Sequence, residues 1–221
     1  MKNLNLASFL IAVFICLNTL NAQTDQEDQT SQKIIKNKEL SNWAIGVGLN
    51  IVEDDGGWHG GDLWDSDINH FSNPFVVSVG YISNSKFSFF GSISFNKFVA
   101  GKSVQHFIIE EGDEPGYMAI DLASRFSFRD MLDTTLFDPY IHAGFGYSKV
   151  DSYSNFPEVG NLTLNTGLGI NFWFSNYWGF NLNYSGKWGV ESGKNKEFIT
   201  NRTQLSFGFF HRFSKKASSK I

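Results

Sequence analysis

The sequence predicts an all-β fold, an eight-stranded antiparallel up-and-down transmembrane β-barrel over 42–213, and three observations predict it. First, in WAIGVGLNIV the residues Trp43, Ile45, Val47, Leu49 and Ile51 point one way and Ala44, Gly46, Gly48 and Asn50 the other. A period of two is a strand period. Second, the face opposite the bulky residues is small or amide-bearing rather than charged, and this grammar recurs roughly eight times. Large side chains suit lipid and small ones suit the inside of a narrow barrel. Third, long connectors alternate with generally shorter ones, as they do in membrane barrels.

The strands follow in order. After the first, 53–73 is an acidic, Gly-rich loop. The second turns Phe75, Val77, Val79 and Tyr81 outward against Ser78 and Gly80, and the turn Asn84-Ser85-Lys86 leads to a third with Phe87, Phe89, Ile93 and Phe95 outward. A polar segment, 101–116, precedes the fourth, which has Met118, Ile120, Leu122 and Phe126 opposite Ala119, Asp121, Ala123 and Arg125. The connector 129–139 brings the fifth, with Ile141, Ala143, Phe145 and Tyr147 against His142, Gly144, Gly146 and Ser148. After 151–159 the sixth sets Leu162, Leu164, Leu168, Ile170 and Phe172 against Thr163, Asn165, Gly167, Gly169 and Asn171. Ser175-Asn176-Tyr177 is a tight turn; the seventh shows Phe180, Leu182, Tyr184 and Trp188 opposite Asn181, Asn183, Ser185 and Lys187. The loop 189–201 precedes the eighth, where Leu205, Phe207 and Phe209 oppose Gln204, Ser206 and Gly208. Trp43, Trp173, Trp178 and Trp188 near strand ends are the expected interfacial girdles.

Composition agrees. Only 18% of the 221 residues are charged, 16% are aromatic, and Gly (21) far outnumbers Pro (4). A mean hydropathy of −0.20 does not argue against a membrane, because half of each barrel strand is polar. A net charge of −4 offers nothing to a nucleic acid. A soluble ligand-carrying barrel alternates equally well, but its polar face would be an outer surface rich in Lys, Glu and Asp.

Residues 1–22 read as a secretory leader: Lys2, an apolar run over 6–17, and Leu20-Asn21-Ala22 before Gln23. That run is shorter than the ~20 residues a helical span needs. Cys16, the one cysteine, falls inside it, and Ile15 before it is not the small residue a lipoprotein signal wants. A disulfide framework is therefore excluded. Residues 23–41 form a polar N-terminal extension and 214–221 a short basic tail with Lys215, Lys216 and Lys220.

The segments NWAIGVGLNIVEDD, FDPYIHAGFGYSKV, LNTGLGINFWFSNYWGFNLNYSGKWG and LSFGFFHRF resemble the OmpA-like N-terminal β-barrels of Gram-negative outer membranes. The resemblance implies their first, fifth, sixth-to-seventh and last strands. It also implies that Ser206, Gly208, His211 and Phe213 form the C-terminal signal read by the barrel-assembly machinery, with His211 in the penultimate aromatic position. The chain runs eight residues past Phe213, so the signal is not strictly terminal and no peptidoglycan-binding domain carries over.

Five strand charges are expected to face the lumen together: Asp121, Arg125, Lys187, Arg202 and Arg212. Buried charges persist when paired or hydrogen-bonded, which predicts a structural ion-pair network; the sharper alternative is a gate over a small pore with a slight anion preference. The loop acids Glu53, Asp54, Asp55, Asp62, Asp65 and Asp67, flanked by His59 and His70, match no defined calcium loop and read as a solvated surface. The Gly-x-Gly pairs sit inside strands, where no helix follows to bind phosphate. Among His59, His70, His106, His142 and His211, only His142 lies on a lumen face, and Ser148 is too far along the strand to pair with it. No nucleophile, base and acid can be assembled from spacing, so no catalytic, metal or cofactor site is expected. The expectation is a non-enzymatic outer-membrane barrel with a structural or surface-interaction role. A narrow low-conductance porin-like channel is the alternative, and a lipid-modifying enzyme the third. Its partners would be outer-membrane lipid, lipopolysaccharide and the barrel-assembly machinery.

Overall fold

A computed structural model describes residues 40–54, 69–104, 107–132, 134, 136–152, 157–190 and 201–214. The leader, the extension up to residue 39, the tail from 215, and Asp55, His59, Asp62, Asp65, Asp67 and His106 lie outside the described residues.

Eight long strands follow one another: β1 (Leu40–Glu53), β2 (Ser72–Ile82), β3 (Phe87–Lys97), β4 (Gly116–Ser127), β5 (Phe137–Val150), β6 (Val159–Trp173), β7 (Trp178–Val190) and β8 (Arg202–Ser214). Each pairs antiparallel with its sequence neighbour, and β8 returns to β1. The result is a closed eight-stranded barrel. Closure removes the free edges that an open sheet would expose, a requirement wherever no water can satisfy the backbone.

At one end the connectors are tight and chemically specified. Asn84 Oδ1 accepts from the amides of Lys86 (2.9 Å) and Phe87 (2.8 Å) between β2 and β3. Ser175 Oγ accepts from Tyr177 (3.2 Å) and Trp178 (2.9 Å) between β6 and β7. Both are side-chain turns of the Asx and Ser/Thr type. The third connector at this end contains a 3-10 turn, Arg129–Met131.

Alternation divides the wall cleanly. Leu164 and Leu168 are 56% and 60% exposed, whereas Thr163 and Asn165 between and beside them are 2% and 3%. The outside is thus a continuous apolar belt whose natural solvent is lipid. At the short-turn end it finishes in a ring of paired aromatics: Trp43 with Tyr81 (5.1 Å), Phe87 with Phe126 (5.2 Å), Phe137 with Phe172 (5.1 Å) and Trp178 with His211 (4.5 Å). Trp173 departs from the expected girdle. It shares parity with Asn171, and it lines the short-turn mouth of the lumen.

The long-loop end holds a second departure. The 98–115 segment, which includes nearly all of the expected polar loop 101–116, folds back as a cap. Phe98 N donates to Pro115 O (2.9 Å), Gly101 N to Ile109 O (2.9 Å) and Ile109 N to Lys102 O (3.0 Å), with a minimal strand pair between Ser103–Val104 and Phe107–Ile108. Phe98, Val104 and Ile109 are fully buried in one apolar cluster with Val52, Tyr117, Ala119 and Val150. The dry core of the described barrel therefore sits across its long-loop mouth. The few apolar residues of the cap gave no period to read, because their burial depends on the barrel wall beneath them.

Candidate functional site

The lumen is where the polar side chains converge, and it is built in layers from the short-turn end. At that mouth, Arg212 Nε donates to Ser41 O (2.8 Å) across the β8–β1 seam. Asp138 accepts from Ser127 Oγ and from Asn171 Nδ2 (3.0 Å). Lys86 and Arg129 also line a cavity of about 40 Å³ here.

Phe90 and Phe210 stand between that cavity and the next layer and line both. Arg125 lies with its guanidinium carbon 3.6 Å from the Phe90 ring centre and 4.5 Å from that of Tyr140, with Phe210 at 5.8 Å. This is a cation sandwiched between aromatic faces, a favourable arrangement for a weakly hydrated planar ion. Tyr140 reaches on to Asn183 (3.1 Å) and accepts from Asn181 (2.8 Å).

Above Arg125 lies a chamber of about 70 Å³. Lys187 Nζ is 2.7 Å from Asp121 Oδ2, and Asn165 Nδ2 donates to Asp121 Oδ1 at 2.7 Å. Ser185 Oγ and His142 Nε2 share a hydrogen bond of 3.1 Å. Toward the cap, Arg202 donates from Nε to Asp54 Oδ2 (2.6 Å) and from Nη1 to Ser148 Oγ (3.0 Å). On the opposite, outward parity of the same two strands, Thr203 Oγ1 donates to Glu53 Oε2 (2.6 Å).

The five anticipated charges do not meet as one network. Lys187 and Asp121 pair, Arg202 pairs with Asp54, Arg125 sits in an aromatic box, and Arg212 holds the seam. Three acids were misread from sequence. Glu53 and Asp54, which read in sequence as solvated loop residues, are buried at 2% and 0%. Asp138, beside Pro139, reads in sequence as part of the connector 129–139, whereas β5 begins at Phe137. The partner of His142 was also missed. Ser185 was assigned to the lumen face, but its proximity depends on the register across a strand that the sequence does not display.

The remaining residues are placed as follows. Ser206 lines the chamber, Gly208 approaches the backbone of Val47 and Gly48, and His211 and Phe213 sit outside with ring centres 5.3 Å apart. His70 is fully buried beside Phe98 (4.4 Å, stacked); its Nδ1 accepts from Val99 N (3.1 Å) and its Nε2 bonds Ser103 O (3.2 Å). Burial pulls its pKa down to about 4, opposed by the Ser103 carbonyl and aided by Lys102. It is a strut of the cap. No cluster of metal-ligating side chains occurs among the described residues.

No family model matches the chain, and no curated protein matches it. Solved structures do resemble it. Neisserial surface protein A aligns over 78% of this chain and 98% of its own, with TM-score 0.54 and 13% identity. The N-terminal barrel domain of OprF from Pseudomonas aeruginosa aligns over 79% and 100% (TM-score 0.48, 13%). OprG from the same organism aligns over 80% and 98% (TM-score 0.48, 11%). At such identity the likeness to the neisserial protein is one of fold.

Proposed function

We propose that this chain is a non-enzymatic barrel of the Gram-negative outer membrane, OmpA-like in kind, which acts through its long-loop surface and its lipid-facing wall rather than through its lumen. The observation that carries this reading is the double closure of the axis. An arginine in an aromatic box fills the middle, and the apolar cap of Phe98, Val104 and Ile109 covers the long-loop mouth. A closed lumen leaves two working surfaces. One is the apolar belt, whose partners are outer-membrane lipid and lipopolysaccharide. The other is the set of long loops, directed outward.

The reading includes export with cleavage near Ala22, and insertion by the barrel-assembly machinery on the signal Ser206, Gly208, His211 and Phe213. The His142–Ser185 pair does not draw the reading toward catalysis. His142 Nδ1 makes no hydrogen bond among the described residues, so no acid orients the ring. The narrow-channel reading keeps one observation in its favour, the two cavities in series along the axis.

Orientation is the first test. In a Cys16→Ser background, a cysteine at exposed Glu111 should react with a membrane-impermeant maleimide on intact cells. A cysteine at Asn84 in a short turn should react only after the envelope is permeabilised. The reverse pattern, or no labelling at either site in intact cells, contradicts the proposal.

A further inference from the structure

The central chamber contains more fixed positive charge than its carboxylate cancels. Its ionisable lining is Asp121, Arg125, His142 and Lys187. Asp121 is taken up by Lys187 and Asn165, and His142 by Ser185. Arg125 is left with no carboxylate in ion-pairing range among the described residues, and its buried Nη1 makes no hydrogen bond. Phe90 and Tyr140 satisfy the two faces of the guanidinium, but its N–H donors lie in the plane and gain nothing from them. Arg125 as a whole is half-buried while its Nη1 is shut off from solvent; a cation so placed without a counter-charge is costly, and arginine does not escape by losing its proton.

Room for the missing partner lies beside it. A chamber of about 70 Å³ accepts several water-sized particles. The approach is also charged. The cavity at the short-turn mouth is lined by Lys86, Arg129 and Arg212 against the single acid Asp138, whose oxygens are already bonded to Ser127 and Asn171. Positive linings of this kind concentrate anions. From the other side the apolar cap blocks entry.

We propose that the central chamber is a binding site for one small monovalent inorganic anion of the halide type, held as the counter-charge of Arg125 and reached from the short-turn end. The anion accepts from Arg125 Nη1 and is surrounded by the amide and hydroxyl groups of Asn183, Ser185 and Ser206. The inference goes beyond the proposed function and rests on it only in taking the lumen as closed at the cap. Bilayer conductance tests that closure separately.

The test is anomalous diffraction from crystals of the membrane-extracted protein soaked in sodium bromide. The expected result is a bromide peak in the chamber within hydrogen-bonding reach of Arg125. A chamber holding water alone, with bromide only on the outer surface, overturns the proposal. Thermal unfolding provides the second measurement. In bromide the wild type should melt a few degrees higher than in gluconate at matched ionic strength, since a ligand of the native state raises Tm. Arg125→Met, which keeps an unbranched chain in the aromatic box, should lose the difference. A difference that survives the substitution contradicts the site, and if the variant does not fold, the bromide soak decides alone.

Discussion

His142 and Ser185 touch at 3.1 Å although their strands are not neighbours. β6 runs between them, and both residues are in register with Gly167, His142 on one side and Ser185 on the other. The contact exists because Gly167 has no side chain. A Cβ there would collide with the Tyr184 carbonyl and with the His142 ring. The same device recurs where Asp121 reaches Asn165 over Gly146, and where Tyr140 reaches Asn183 over Gly169. Gly146, Gly167 and Gly169 are gaps through which lumen side chains bond to the next strand but one.

Gly167→Ala should therefore destabilise the barrel by roughly 1–3 kcal/mol, the usual cost of forcing atoms into a filled site. Gly91→Ala is the control. Its Cβ would point out of the barrel, 3.3 Å from the flexible end of Leu122, and its effect should be much smaller. Urea unfolding of both variants in lipid vesicles measures the difference, and equal costs would refute the gap argument.

The Lys187–Asp121 pair should behave as a coupled unit. Lys187→Met strands a carboxylate that is 14% exposed, with only Asn165 to bond it, and should cost about 3–5 kcal/mol. Adding Asp121→Asn should recover a large part of that loss. A double-mutant cycle by equilibrium unfolding reports the coupling; additive effects would mean the two groups do not interact.

The cap should loosen in acid. His70 has a folded-state pKa of about 4 against 6.5 when unfolded. Above pH 6.5 the ring is neutral in both states and nothing is lost. As pH falls from 6.5 to about 4, the opened cap takes up a proton that the closed cap refuses. Stability drops through that window by a total on the order of 3 kcal/mol. Hydrogen exchange at the Gly101 and Ile109 amides, corrected for intrinsic rates, should show protection lost between pH 7 and pH 4. His70→Gln should flatten the dependence.

The eight strands were legible because a period of two is written residue by residue, and a closed barrel imposes one solvent on each face. Inward parity was legible for Asp121 and Lys187 for the same reason. Partnership was not. Asp54 reads as a loop acid until β1 is known to end beside Arg202, and Arg125 reads as half of an ion pair until Phe90 and Tyr140 are brought to its faces. Such contacts depend on register and tilt between strands, which alternation within one strand does not encode. The cap was hidden for a related reason, because Val104 and Ile109 gain their burial from the barrel mouth and not from each other.

The closed axis is the centre of this account, and single-channel recording of the purified protein in a planar bilayer tests it most directly. With insertion verified by heat-modifiable migration, the wild type should be silent at neutral pH. Discrete conductance steps that change on replacing Arg125 or Lys187 with Ala would contradict the closure and make the barrel a pore.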